Sequence, residues 1–173
     1  MTRVLGIDPG LDRTGWAIVE KDSRGCLRAT ASGLIHTPAG LRLEKRLRRI
    51  YETLNGVIDS GKPAQAAVEE VFFSKKTSTQ ANTTHARGVI LLACELKGLP
   101  VCSYNPREIK KNISGSGSAE KPQMQRMVQL TLGLPELPSP DDVADGMAAA
   151  ICHIRTAPMR EAMEAVRKKC LPI

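Results

Sequence analysis

The sequence predicts an α/β fold: a mixed sheet, antiparallel over its first three strands and parallel afterwards, flanked by helices. Three observations carry that prediction. Apolar runs of strand length recur three times before residue 40, separated by turn residues. The apolar spacing then changes to that of a helix. From there strand-like and helix-like segments alternate, as in βα units.

Residues 3–8 form a continuous apolar strand, as suits a strand buried on both faces. "PGLDRTG" is turn material, and "WAIVEK" is the second strand. After the Ser23–Gly25 turn, "LRATASGLIHT" is the third, which makes an antiparallel meander. Over 40–60, Leu43, Leu47, Ile50, Leu54 and Ile58 recur at helical spacing, with Arg42, Lys45, Arg46, Arg48 and Arg49 on other, solvated faces. "QAAVEEVFF" is a fourth strand, 78–97 a second helix and "PVCSYNP" a short fifth strand. "SGSGSAEKP" (114–122) is a small-residue loop, and "SAEKPQMQRMVQLTLG" is a helix with an early proline. "SPDDVADGMAAAICHIRT" is a helix with Ser139 as N-cap and Pro140 as first residue. The order is βββαβαβαα, in one domain over 1–157 followed by a basic, helical C-terminal tail over 158–173.

Composition narrows the function classes. Of the 173 residues, 42% are hydrophobic, enough for a real core. The formal charge of +7 favours a polyanionic partner or an anionic surface. The five cysteines (Cys26, Cys94, Cys102, Cys152, Cys170) show neither zinc spacing nor a disulfide framework, which points to a reducing compartment. The start lacks the apolar core of a signal peptide, and no run approaches 18 apolar residues. A cytoplasmic protein with no membrane partner is the expectation.

Several acids stand where acids are costly. Asp8 ends or interrupts the first apolar strand, where a buried charge needs a partner or a metal; capping the turn before Pro9 is the alternative. Glu69 and Glu70 end another apolar strand, and alternation sends only one of them to a given face. Asp141 and Asp142 suit the first turn of a helix, and Asp145 shares a face with either. A carboxylate on strand one, one on strand four and a helix pair can converge beside a sheet. Clustered carboxylates repel unless cations neutralise them, and hard oxygen ligands select Mg²⁺ or Mn²⁺. Two such ions roughly 3.5–4 Å apart activate a water and stabilise the leaving oxygen in phosphodiester cleavage. A basic chain supplies the phosphate-binding surface. A metal-dependent nuclease uses both anomalies at once.

"LGIDPGLDRTGWAIVE", "VEEVFF", "ARGVILLACE", "GSGSAEKPQMQRMV" and "DDVADGMAAAICH" occur in the order seen in the RuvC family of Holliday-junction resolvases, which the chain resembles from Val4 to His153. The resemblance implies a ribonuclease-H-like fold and a homodimer making paired, symmetric, Mg²⁺-dependent nicks in a four-way DNA junction. It implies catalytic, metal-holding acids at Asp8, Glu69, Asp142 and Asp145, with Asp8 shared between two Mg²⁺ ions per subunit and Mn²⁺ as a possible substitute. Asp141 is then a capping or outer residue, and Glu70, where glutamine is common in the family, points away from the metals.

The resemblance also places Lys121 and Lys110 near the scissile phosphate, where an ammonium offsets charge on the phosphoryl oxygens. It implies a base-stacking role for Phe72, and strand alternation turns Phe73 inward on the same DNA-binding segment. Lys75 and Lys76 would track phosphates. "HARG", with Arg87 and Gly88, would begin the helix used for dimer packing. The family further implies a branch-migration helicase partner, nucleoid association in a bacterial-type cytoplasm, and cleavage that leaves 5′-phosphate and 3′-hydroxyl ends. The rivals are an RNA-processing nuclease of the same fold and a non-cleaving junction-binding dimer.

Overall fold

The computed structural model describes residues 2–71 and 77–170; Phe72, Phe73, Lys75 and Lys76 lie outside the described residues. The elements run β1 (Thr2–Asp8), β2 (Arg13–Lys21), β3 (Leu27–His36), α1 (Leu43–Gly61), β4 (Gln65–Glu69), α2 (Thr77–Leu96), β5 (Val101–Tyr104), α3 (Pro106–Ser114), α4 (Lys121–Leu132) and α5 (Asp141–Cys170). The sheet order is β3-β2-β1-β4-β5. β1 pairs antiparallel with β2, β2 antiparallel with β3, and β1–β4 and β4–β5 are parallel. This is the mixed sheet the sequence predicts.

Side-chain alternation gives the sheet two apolar faces. Leu5, Ile7, Ile18, Ala66 and Val68 pack on α1 and α2. Val4, Ala17, Val19, Ala67 and Tyr104 pack under α3, α4 and α5. Small residues let α5 settle directly on the strands. A Cβ added to Gly6 would lie 2.0 Å from the Gly146 carbonyl oxygen, and one on Gly15 would lie 1.8 Å from that of Asp142. Glycine at these positions permits contact between backbones.

Five expectations are corrected. A third late helix, α3, lies between β5 and α4, so the order is βββαβαβααα. Its signals are ordinary: Asn105 accepts the Arg107 N–H, Pro106 is the first residue, and Ile109 and Ile113 are buried one turn apart. β4 stops at Glu69, short of the phenylalanines, because its neighbours β1 and β5 end at Asp8 and Tyr104. α5 begins at Asp141, and the Pro140 carbonyl, which accepts the Val143 N–H at 3.0 Å, caps the turn in place of Ser139. Arg46 is buried on the apolar stripe of α1, while Leu43 is 38% exposed. Arg46 donates from Nε to Thr37 Oγ1 at 2.9 Å and pairs with Asp12, tying the β1–β2 turn to the start of α1. "HARG" lies in the middle of α2 and does not begin it. The basic remainder is helical up to Cys170, continuous with α5 through Pro158.

Candidate active site

The turn after β1 is held from inside. Buried Thr14 donates from Oγ1 to the Gly10 carbonyl at 2.6 Å, and Thr37 Oγ1 hydrogen-bonds the Leu11 carbonyl at 2.5 Å. These contacts fix the chain that leaves Asp8. The last paired position of β1 and β4 is Ile7 beside Val68, and Asp8 and Glu69 follow one residue later. Both continue the face that carries Val4, Ala67 and α5, so alternation turns them toward the helix. Glu70 takes the other face. It lines a 310 Å³ cavity with Val71, Thr84, Arg87, Gly88 and Leu91 against α2.

α5 brings its first turns over this point, with Asp142 backbone against Gly15 of β2. The electrostatics show what has been gathered. Asp8 titrates well above the usual carboxylate range, first because it is buried and then because Glu69, Asp145 and Asp142 oppose its charge. Burial and Asp145 raise Glu69 from 4.5 to about 7, with Lys110 and Lys121 pulling back. Burial also raises Asp145, against the pull of Lys121 and Lys110. The four predicted acids and both predicted lysines therefore share one electrostatic neighbourhood. Lys110 projects from α3, and Lys121 begins α4.

Asp141 stands apart from the buried acids. Its exposed carboxylate receives Lys121 Nζ at 2.6 Å, which lowers its own titration and raises that of the lysine. Arg13, a residue the sequence did not single out, donates from Nε to Asp142 Oδ2 at 2.7 Å. No sequence signal marks this pair, because its members lie 129 positions apart. Arg87 donates to Ser103 Oγ on β5 at 2.6 Å, and Gly88 is exposed with open space around its Cα. His153 is buried, with its ring between Tyr104 and Gln65, far along α5 from the acids.

The donor set is oxygen only, and its mutual repulsion is what a hard divalent cation relieves. The residues fit such an ion by chemistry. Among the described residues no three such groups stand close enough to enclose one as the side chains lie, and Asp142 is held by Arg13 instead. The described residues contain no helix long and apolar enough to cross a membrane.

Fold and site fit one class: a nuclease of ribonuclease-H-like fold whose acids suit a divalent cation. The comparisons go further. The family model described as "Crossover junction endodeoxyribonuclease RuvC" matches residues 4–153. A RuvC of that description from Chloroflexus aggregans is 49% identical over 156 residues, 90% of this chain and 94% of the relative. The solved RuvC of Thermus thermophilus superposes with a TM-score of 0.84 at 32% identity, covering 91% of this chain and 96% of that one. The same protein in complex with a Holliday junction substrate gives 0.87 at 31% identity, covering 92% and 96%. The chain belongs to the RuvC family of crossover junction endodeoxyribonucleases.

Proposed function

We propose that the chain is a Holliday-junction resolvase in which Asp8, Glu69, Asp142 and Asp145 hold divalent cations at the ends of β1 and β4. The observation that carries the reading is the buried like-charge group of Asp8, Glu69 and Asp145 in a chain of this family. Mg²⁺ is the expected ion, two per subunit, with Mn²⁺ able to replace it. When bound, the ions supply water activation and stabilisation of the leaving 3′ oxygen. The protein supplies the rest. The rigid β1–β2 turn holds Asp8 in place, and α5 carries Asp142 and Asp145 as one body.

Lys121 and Lys110 add positive charge at the edge of the acids, where phosphoryl oxygens gain charge during in-line attack. The products are 5′-phosphate and 3′-hydroxyl ends. Phe72 stacks on a base at the junction, with Phe73 its neighbour on the same DNA-binding segment, and Lys75 and Lys76 bind backbone phosphates. A homodimer packed through α2 near Arg87 and Gly88 matches the near two-fold junction, so two sites make paired nicks. In this reading 1–157 is the nuclease domain and 158–173 a basic tail. The protein works in the cytoplasm at the nucleoid, with a branch-migration helicase as partner.

The test uses labelled four-way junction, linear duplex and single-stranded RNA, each with Mg²⁺ or EDTA. Paired junction nicks with Mg²⁺, and binding without nicking in EDTA, are expected. Junction binding without cleavage in Mg²⁺ would leave a binding-only dimer, and faster RNA cleavage would make it an RNA-processing enzyme.

A further inference from the structure

One oxygen of the carboxylate that Asp142 would offer a cation is already taken. Arg13 Nε and Nη2 both address Asp142 Oδ2, at 2.7 and 2.5 Å. The same Nη2 lies 3.6 Å from Asp141 Oδ1, whose partner oxygen holds Lys121 at 2.6 Å. A chain of alternating charge, Lys121–Asp141–Arg13–Asp142, thus runs along the rim of the buried acids. Within the Arg13–Asp142 pair the arginine side chain is 45% exposed and the aspartate 21%, so the guanidinium is the member free to leave. It also lines an open 270 Å³ concavity with Gly10, Asp12, Asn82 and Thr83. A guanidinium and a divalent cation on one carboxylate oxygen compete, because two cations at contact distance repel.

We propose that Arg13 is a positioning residue with two seats: on Asp142 in the cation-free protein, and on a backbone phosphate of the bound strand once a cation takes Asp142. Asp141 keeps the guanidinium at the rim in both states. Arg13 then opposes cation binding in the absence of DNA. A junction that draws Arg13 away tightens the cation, and by reciprocity the cation tightens the junction. The proposal rests on Asp142 being a cation ligand.

The test reads binding and needs no turnover. Ca²⁺ is titrated calorimetrically into wild type, R13Q, R13K and D142N without DNA, and junction affinity is measured by fluorescence anisotropy in EDTA and in Ca²⁺. R13Q is expected to bind Ca²⁺ on the order of fivefold more tightly than wild type, with R13K between them. R13Q is also expected to lose more junction affinity in Ca²⁺ than in EDTA. Ca²⁺ affinity of R13Q within about twofold of wild type would overturn the proposal, as would an equal loss of junction affinity in both conditions. D142N separates the two readings. If D142N weakens Ca²⁺ binding while R13Q does not tighten it, the Arg13 proposal alone fails. If D142N leaves Ca²⁺ binding unchanged, Asp142 is no ligand and both fall.

Discussion

Helix α5 covers two buried polar groups on one face of one sheet, and they are opposites. At the start of β4, His153 Nδ1 stands 2.8 Å from Tyr104 Oη, and Nε2 stands 2.7 Å from Gln65 Oε1. Because an amide oxygen only accepts, Nε2 donates and Nδ1 accepts the Tyr104 hydroxyl. Burial lowers the His153 titration, so the ring stays neutral, and its hydrogen bonds complete it. Arg160 closes the group with its guanidinium 4.3 Å from the Tyr104 ring centre and a 2.6 Å pair to Glu108. At the other end of β4, Glu69 meets Asp8 and Asp145, and the neighbours are of like charge. The lesson is that burial of polar atoms does not mark a site. A satisfied network holds a fold together, while an unsatisfied one asks for a ligand.

The contrast can be broken by substitution. Asp8→Asn is expected to slow junction cleavage on the order of a thousandfold while leaving junction binding intact. Its melting temperature without divalent cation should not fall, because a repulsive charge has gone. A cleavage rate near wild type would remove Asp8 from the site. His153→Ala should do the reverse. It takes the His153 partner from Gln65, leaves the Tyr104 hydroxyl with Thr156 Oγ1 at 3.2 Å and opens a cavity, which together cost about 3 kcal/mol in urea denaturation, with turnover per folded molecule unchanged. Lost turnover in a fully folded His153→Ala would make the two groups one functional unit.

Smaller effects sharpen the picture. Glu69 titrates near 7 in the folded, cation-free chain and near 4.5 when unfolded, so between those values the folded state holds the extra proton. Stability therefore falls as pH rises from about 4.5 to 7, by on the order of 3 kcal/mol from this group. Glu69→Gln should flatten that slope in chemical denaturation followed against pH, and an unchanged slope would mean that neither burial nor Asp145 raises the Glu69 titration. Gly15→Ala should cost about 2 kcal/mol, because its Cβ collides with the Asp142 backbone, and it should weaken cation binding by shifting the helix.

Much of this site was legible in the sequence. Asp8 is an acid in an apolar strand, alternation separates Glu69 from Glu70, and Asp142 and Asp145 share a helix face. What was not legible is how closely the parts approach. Gly6, Gly15 and Gly146 read as unremarkable small residues until α5 is laid across β1 and β2. Arg46 sits one turn before Ile50 on the same stripe as Leu54, a position that predicts burial once Asp12 and Thr37 are there to receive it. α3 carried its cap, its proline and its two isoleucines in plain view, masked by the charged residues between them. Arg13 had no local signal, since its partner arrives only with the tertiary fold.

The most direct measurement is the melting temperature of the protein and of Asp8→Asn, at pH 7.5, against Mg²⁺ concentration without DNA. If the buried acids are a cation site, Mg²⁺ raises the wild-type midpoint in a saturable way and leaves that of Asp8→Asn nearly unmoved. A wild-type midpoint indifferent to Mg²⁺, or a variant stabilised as much as wild type, would contradict the account.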